Sequence, residues 1–477
     1  MTNDELAALA SRALANGGEE DVLPRLVDAA IKLRDARLWQ WAALLHRSLD
    51  QHGEAIAAFE TAARLAPTDA LIAHGLARTL MEAGRDALPA YDRARDLAPT
   101  DGDLLIGQSA AMLAQGYGER AAADLARTIA ANPLWIAGHL HLAQLEALLG
   151  RPECATDSLD LALAAHSAEP SLWTALFDLA IRREDYCALA DLVGRSPLGS
   201  QATAPFAAIA AAETGHLDEA TRLFAIIPPA DLPVWRIRHA LRASDLAHAL
   251  LLIDAELAGM AAAEAWPYAF LAWRLAKDPR SEWLAGDAVR VIDLADRLPL
   301  AELATTLRSL HNVSGQFLDQ SVRGGSQTDG PLFSRLEPEL RATRAIIINE
   351  VERYRATLPA PRPGYPLLGA PRDRRIRFSG SWSVRLSAGG RHTAHIHPQG
   401  WLSSALYVSL PETMPGTDGW LELGEAPPSL GLDLPATQLT EPRPGRLVLF
   451  PSWLWHGTRT FGAGERLTIA FDIERSR

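Results

Sequence analysis

Three histidines fall within six positions in Arg391-His-Thr-Ala-His-Ile-His-Pro398, and a fourth, His456, lies 59 residues beyond His397. Neutral imidazole is the commonest protein ligand for a transition metal. An extended segment puts residues i and i+2 on one face, so His395 and His397 would point the same way and His456 would close the set. His392, at i−3 from His395, would face the other way and is left out. The plainer alternative is a group of surface or hydrogen-bonded core histidines with no ion. Ten residues past His456, Arg466 and Thr468 would share a strand face, where a guanidinium and a hydroxyl can clamp a carboxylate. Tyr407 would supply another hydroxyl.

These residues need strands to hold them, and from position 376 the apolar pattern has a period of two. Eight short strands are expected at 376–386, 391–397, 403–410, 420–423, 437–441, 447–450, 455–461 and 467–473. Turns are expected at 388–390, 411–419, 442–445 and 462–464. So many short strands without an intervening helix predict a double-stranded β-helix, the jelly-roll or cupin-like barrel. In it, His395 and His397 would end the second strand and His456 would begin the seventh.

Ahead of the barrel the chain is helical and repetitive. Ala66-Pro-Thr-Asp69 recurs as Ala98-Pro-Thr-Asp101, and prolines 67, 99 and 133 are 32 and 34 residues apart. Each follows an amphipathic segment and precedes another, as proline at a helix start would. Gly84, Gly116 and Gly150 fall at the turns between them. This period matches the tetratricopeptide (TPR) repeat. The fold class is thus multidomain α + β, an N-terminal TPR-like solenoid followed by the barrel. Residues 1–300 are expected to form the solenoid, clearest over 38–197; 301–375 would connect and 376–477 would form the barrel. Such solenoids offer a concave surface, so the expected partner is a peptide or protein, with a purely structural platform as the alternative.

Within the connecting region, Gly324 and Gly325 are flanked by Gln320, Arg323 and Gln327. The glycines free the backbone and the three side chains are directional donors, so a lid or substrate loop is one reading and a solvated linker the other. A helix is expected at 337–358, with Ile346, Ile347, Ile348, Val351 and Tyr354 on its apolar face.

Composition excludes several classes. The formal net charge of −12 gives no electrostatic footprint for nucleic acid. The acidic start, Asp4 and Glu5, is unlike a secretory leader. The most apolar stretch, 249–266, is interrupted by Asp254, Glu256 and Glu264, which argues against a membrane span. The two cysteines, Cys154 and Cys187, suit a reducing cytoplasm better than a disulfide framework.

His395-x-His397-Pro, Leu402–Val408, Gly445–Ser452, His456 and Arg466-x-Thr468, in this order, resemble a bacterial 2-oxoglutarate/Fe(II)-dependent dioxygenase of the kind that follows TPR repeats. The segment 320–328 shares in that resemblance, which covers about 310–475. It implies Fe(II), 2-oxoglutarate and O2, and hydroxylation of a C–H bond coupled to decarboxylation of 2-oxoglutarate to succinate. By the same resemblance His395 and His456 are metal ligands, Arg466 with Thr468 holds the far carboxylate of 2-oxoglutarate, and Tyr407 assists. The sequence departs from the family at His397, where a carboxylate is usual. Three solutions stand open: three histidines, two histidines with water, or a carboxylate from elsewhere such as Glu422. Two other functions compete: a non-catalytic TPR adaptor with a degenerate barrel, and a three-histidine metal enzyme that does without 2-oxoglutarate.

Overall fold

The computed structural model describes residues 1–259, 262–285, 288–313, 315–318, 320–362 and 364–475, with side chains 283–285 excepted. The chain divides into two compact units. One comprises Met1–Asn132 with Asp329–Ala345, the other Pro133–Thr328 with the chain from Ile346 onward.

The first unit is a run of antiparallel helix pairs, such as His52–Leu65 with Ala70–Glu82 and Leu88–Leu97 with Gly102–Ala114. The recurring Ala-Pro-Thr-Asp turn works through its last residue. Asp69 accepts the backbone N–H groups of Leu71 and Ile72, and Asp101 that of Leu104. Each caps a helix start that would otherwise leave donors unpaired. Pro67 and Pro99 therefore lie in the turn ahead of the cap rather than in the first helical turn, whereas Pro170 does open its helix. Gly84 and Gly116 take φ of 70° and 84°, the left-handed conformation that ends a helix without a Cβ penalty.

The second unit continues the helix pairs and adds the barrel. Among the described residues there are nine strands: β1 Arg290–Asp293, β2 Val322–Gln327, β3 Phe378–His392, β4 Gly400–Ser409, β5 Leu421–Leu423, β6 Gln438–Thr440, β7 Arg446–Pro451, β8 His456–Thr458 and β9 Arg466–Glu474. They form a six-stranded sheet ordered β1-β7-β4-β9-β3-β2 and a three-stranded sheet ordered β6-β5-β8. Two of these lie ahead of the expected barrel start at 376. β1, inside the stretch expected to be solenoid, pairs with β7; β2, inside the expected connector, pairs with β3. The sequence around β1 lacks alternation because the strand covers a sheet edge rather than entering the core. A third difference concerns 388–390. The expected turn is part of one long β3, its register against β2 shifted between Arg323 and Gly325.

The apolar stretch noted above runs from the helix Leu246–Leu257 into the start of a second helix, Ala262–Leu275. Every residue from Ala265 to Trp273 is buried, because this second helix belongs to the barrel's own core. Tyr268 meets Trp455 edge-on at 5.8 Å and Phe270 meets Trp453 at 5.7 Å. Among the described residues, no helix is long and apolar enough to cross a membrane.

Candidate metal and anion site

β9 is one of the two central strands of the large sheet and supplies one wall of the site. Its side chains alternate: Leu467, Ile469, Phe471 and Ile473 are buried in the core, while Arg466, Thr468, Ala470 and Asp472 line one pocket. Beyond the end of β3, His395 pairs with His456 on β8 through two backbone hydrogen bonds of 3.0 Å. That pairing fixes the two imidazoles side by side, with ring centres 4.1 Å apart. The N–H of His397 is tied to the carbonyl of Ser452 at 2.9 Å, which brings the third ring to within 5.1 and 5.2 Å of the other two.

The three rings offer one nitrogen each, all within 4.8 Å of one another. Their second nitrogens are spoken for. His395 Nδ1 donates to the Thr393 carbonyl at 2.8 Å and His456 Nδ1 to that of Leu454 at 2.9 Å. His397 Nδ1 is bound by the Asp472 carboxylate, and Asp472 in turn accepts from Ser403 Oγ at 2.6 Å. Anchoring each Nδ1–H in this way fixes the tautomer and leaves Nε2 as the lone-pair donor. Burial pushes His395 down to about 3, helped by His397, and holds His456 well below its ordinary value for the same reason. Both are therefore neutral near pH 7, the form that ligates a metal.

Arg466 sits in the same pocket with 2% of its surface exposed. Its Nη1 donates to the Gly419 carbonyl at 2.8 Å, and its guanidinium lies 4.9 Å over the Tyr407 ring. No carboxylate faces it among the described residues, and its Nε and the Tyr407 hydroxyl have no hydrogen-bond partner. Burial lowers its pKa from the ordinary arginine value. A buried cation costs several kcal/mol unless paired, and the pocket that holds Arg466 has the chemistry to accept an anion.

The remaining expected residues divide. Thr468 lines the pocket, its hydroxyl 3.5 Å from the Val384 carbonyl. Tyr407 does not line it and is fully buried beneath Arg466. Gln320 and Gln327 line the pocket, but Arg323 turns away, bonding the Val322 carbonyl at 3.0 Å and pairing loosely with Glu184 at 3.7 Å. The expected lid is β2 itself. A Cβ on Gly325 would meet the Arg385 carbonyl at 2.3 Å, so that glycine permits close strand packing rather than a mobile loop. Glu422 is bound to Arg459 at 2.7 Å and takes no part in the histidine group.

Sequence reasoning missed Asp472, Ser321 and the position of His392. Asp472 was readable: it is six residues beyond Arg466 on a strand, hence on the same face. Ser321 Oγ lies 3.1 Å from His392 Nδ1 and 3.2 Å from His395 Nε2. His392 therefore lines the pocket, because β3 ends there and the expected alternation does not carry through to His395.

Residues 380–472 match the sequence model of the family described as "Putative 2OG-Fe(II) oxygenase". This C-terminal segment is similar to the 2OG-Fe(II) oxygenases. No curated protein is similar in sequence to the chain. Similar solved structures include a MamA fragment from Desulfovibrio magneticus RS-1, 16% identical over 35% of this chain and 96% of that one, with a TM-score of 0.30. A prolyl-4-hydroxylase from Pseudomonas putida is 17% identical over 41% of this chain and 96% of that one, TM-score 0.28. A prolyl hydroxylase from Trichoplax adhaerens, in complex with a hypoxia-inducible-factor peptide fragment, is 16% identical over 43% and 93%, TM-score 0.30. What the oxygenase segment can do is read from its own residues.

Proposed function

We propose that this chain is an Fe(II)- and 2-oxoglutarate-dependent hydroxylase, with His395, His397 and His456 as the metal ligands and Arg466 as the anchor of the co-substrate. One observation carries the reading: a buried arginine without a carboxylate partner shares a pocket with three imidazoles that each present Nε2. The donor set fits iron, since imidazole suits Fe(II) and the three rings leave positions for other ligands. The orphaned Arg466 Nε fits a dicarboxylate held at its far end.

When bound, iron with 2-oxoglutarate supplies the oxidising power for hydroxylation of a C–H bond, with succinate and carbon dioxide as co-products. The protein's own contributions are positional. Asp472 holds the His397 ring and strengthens it as a donor. The Thr393 and Leu454 carbonyls do the same for His395 and His456. Arg466, braced by the Tyr407 ring and the Gly419 carbonyl, binds the far carboxylate, with Thr468 beside it on β9. Trp382 stacks on His397 with ring centres 5.6 Å apart and Phe450 packs on His456 at 4.7 Å, holding both rings in place.

The substrate we infer is a peptide or protein side chain presented by the helical repeats, in the cytoplasm. The test is succinate release by the full chain with Fe(II), ascorbate and 2-oxoglutarate, compared with His456→Ala and Arg466→Ala. Loss of iron in the first and of succinate in both is expected; succinate formation that survives Arg466→Ala sinks the assignment. The all-imidazole set favours a second reading, a metal centre that reacts without 2-oxoglutarate. Iron binding with oxygen uptake that ignores 2-oxoglutarate would select it. An iron-free protein would instead point to the adaptor.

A further inference from the structure

A second cavity of about 630 Å³ lies beside the histidine pocket, within the same compact unit. Helical residues Tyr186, Trp235 and Tyr268 form one side and Ala394, His395 and Ile396 the other. His395 lines both cavities, so the groove ends at the candidate metal centre.

Its barrel side is an unpaired backbone edge. His395 uses its N–H and C=O on His456, and His397 gives its N–H to Ser452. The N–H and C=O groups of Ala394 and Ile396, between them, have no partner among the described residues. Backbone polar groups require hydrogen bonds, and a free extended edge is a template for another strand. The charges are asymmetric as well. Glu213, its side chain 1% exposed, pairs with Arg238 at 2.9 Å and Arg242 at 3.6 Å, which leaves one positive charge in that group. Among the described residues, exposed Glu264 takes part in no ion pair, and Glu184, 71% exposed, has only its loose contact to Arg323. The lining thus holds three glutamates and two arginines, a net charge of −1, and its exposed members are Glu184 and Glu264.

We propose that this groove binds an extended peptide segment carrying a basic residue, which adds as a strand to the Ala394–Ile396 edge and brings its reacting side chain to the His395 end. Main-chain pairing supplies affinity in such additions and side-chain pockets supply selectivity. Here Tyr186, Trp235 and Tyr268 are the pockets, and Glu184 and Glu264 select the basic residue by opposite charge. The proposal rests on the oxygenase reading for what happens after binding, but the binding itself stands on the groove.

The test uses the full chain loaded with Fe(II) and a random dodecapeptide phage library. Enriched sequences are expected to carry Lys or Arg, and a fluorescein-labelled synthetic copy is then followed by polarisation. Trp235→Ala should weaken binding by about tenfold or more, as loss of an aromatic anchor does, and Glu264→Lys should weaken it more at low than at high salt. Iron content at the wild-type level shows that each variant has kept the barrel intact. Should Trp235→Ala misfold, the ligand side answers: N-methylation of the peptide should abolish binding at alternate positions only. No enrichment, binding indifferent to both substitutions, or tolerance of N-methylation throughout would overturn the proposal. Succinate release is measured separately, so peptide binding without turnover supports the groove and sinks the hydroxylase, whereas turnover without peptide binding does the reverse.

Discussion

Glu82 in the helical repeats and Arg466 in the barrel are both charges withdrawn from water, and their surroundings are opposite. Glu82 closes the helix Ala70–Glu82, an end where the helix dipole disfavours an acid. It is surrounded by cations: Arg47 grips it with two bonds of 2.6 and 2.7 Å, Arg78 reaches it at 3.1 Å and His52 at 3.7 Å. Burial alone would raise its pKa, but the His52 and Arg47 hydrogen bonds, with the charges of Arg47 and Arg78, hold it at about 2. Arg466 has one carbonyl and an aromatic face, and a nitrogen with nothing to bond. The repeats satisfy their buried charge from within, as a scaffold must. The barrel leaves its charge under-partnered, which makes sense when the missing partner is a ligand.

The contrast is sharpest at Arg466. Arg466→Met removes the cation and keeps much of the volume. Succinate release should fall by about a thousandfold, the few kcal/mol lost when one member of a buried charge pair is deleted. Thermal stability should hold or rise, because an under-partnered buried cation costs more than it contributes. A melting temperature well below wild type would mean that Arg466 is structural after all, and the contrast with Glu82 would collapse.

At Glu82 the effects should be reversed. Glu82→Gln strands Arg47 and Arg78 beside a neutral amide and should cost about 3 kcal/mol in urea unfolding, with turnover per folded molecule unchanged. The pH dependence follows from the depressed carboxylate. With the folded value near 2 and the ordinary one at 4.5, the stabilisation is complete above the ordinary value and disappears as the pH falls from about 4.5 to 2. The shift of about 2.5 units corresponds to about 3 kcal/mol at most. The stability gap between wild type and Glu82→Gln should therefore be full near neutrality and mostly closed by pH 2. A gap that is the same at both values would show that packing, not charge, makes the difference.

The two regions were also unequally legible. The repeats were readable from spacing because each pair contacts mainly its neighbours, although the function of the recurring turn was not: its aspartate caps the next helix, and its proline merely precedes. In the barrel, the strands that alternate cleanly were readable, and so was the shared face of Arg466 and Thr468 on β9, whereas His395 and His397 lie beyond the end of β3 and are placed by pairing with His456 and Ser452. β1 and β2 were not, because an edge strand carries no strong alternation and Gly324–Gly325 looks like a loop to any local rule. The coming together of Tyr407 and Arg466 as a stacked pair, rather than two pocket-lining groups, depends on strand order in the sheet, which no local pattern encodes. Asp472 lay within reach of the same rule that found Thr468, but a search for a metal-binding carboxylate looks for one beside the ion, whereas this one acts through an imidazole.

That role gives a smaller but discriminating prediction. If Asp472 orients His397 and raises its donor strength, the loss should be graded by what replaces it. Asp472→Asn retains an oxygen that can accept from Nδ1–H but removes the charge, and Fe(II) affinity should fall by about tenfold. Asp472→Ala removes both and should approach a hundredfold, the range that such outer partners command. Ser403→Ala, which deletes only the 2.6 Å bond to Asp472, should fall below either. Affinity is measured by anaerobic Fe(II) titration, so the result does not depend on turnover. The order is the informative part: a merely buried polar residue would lower stability without grading metal affinity. Equal affinity across the three variants would return Asp472 to the status of Glu82, a charge that serves only the fold.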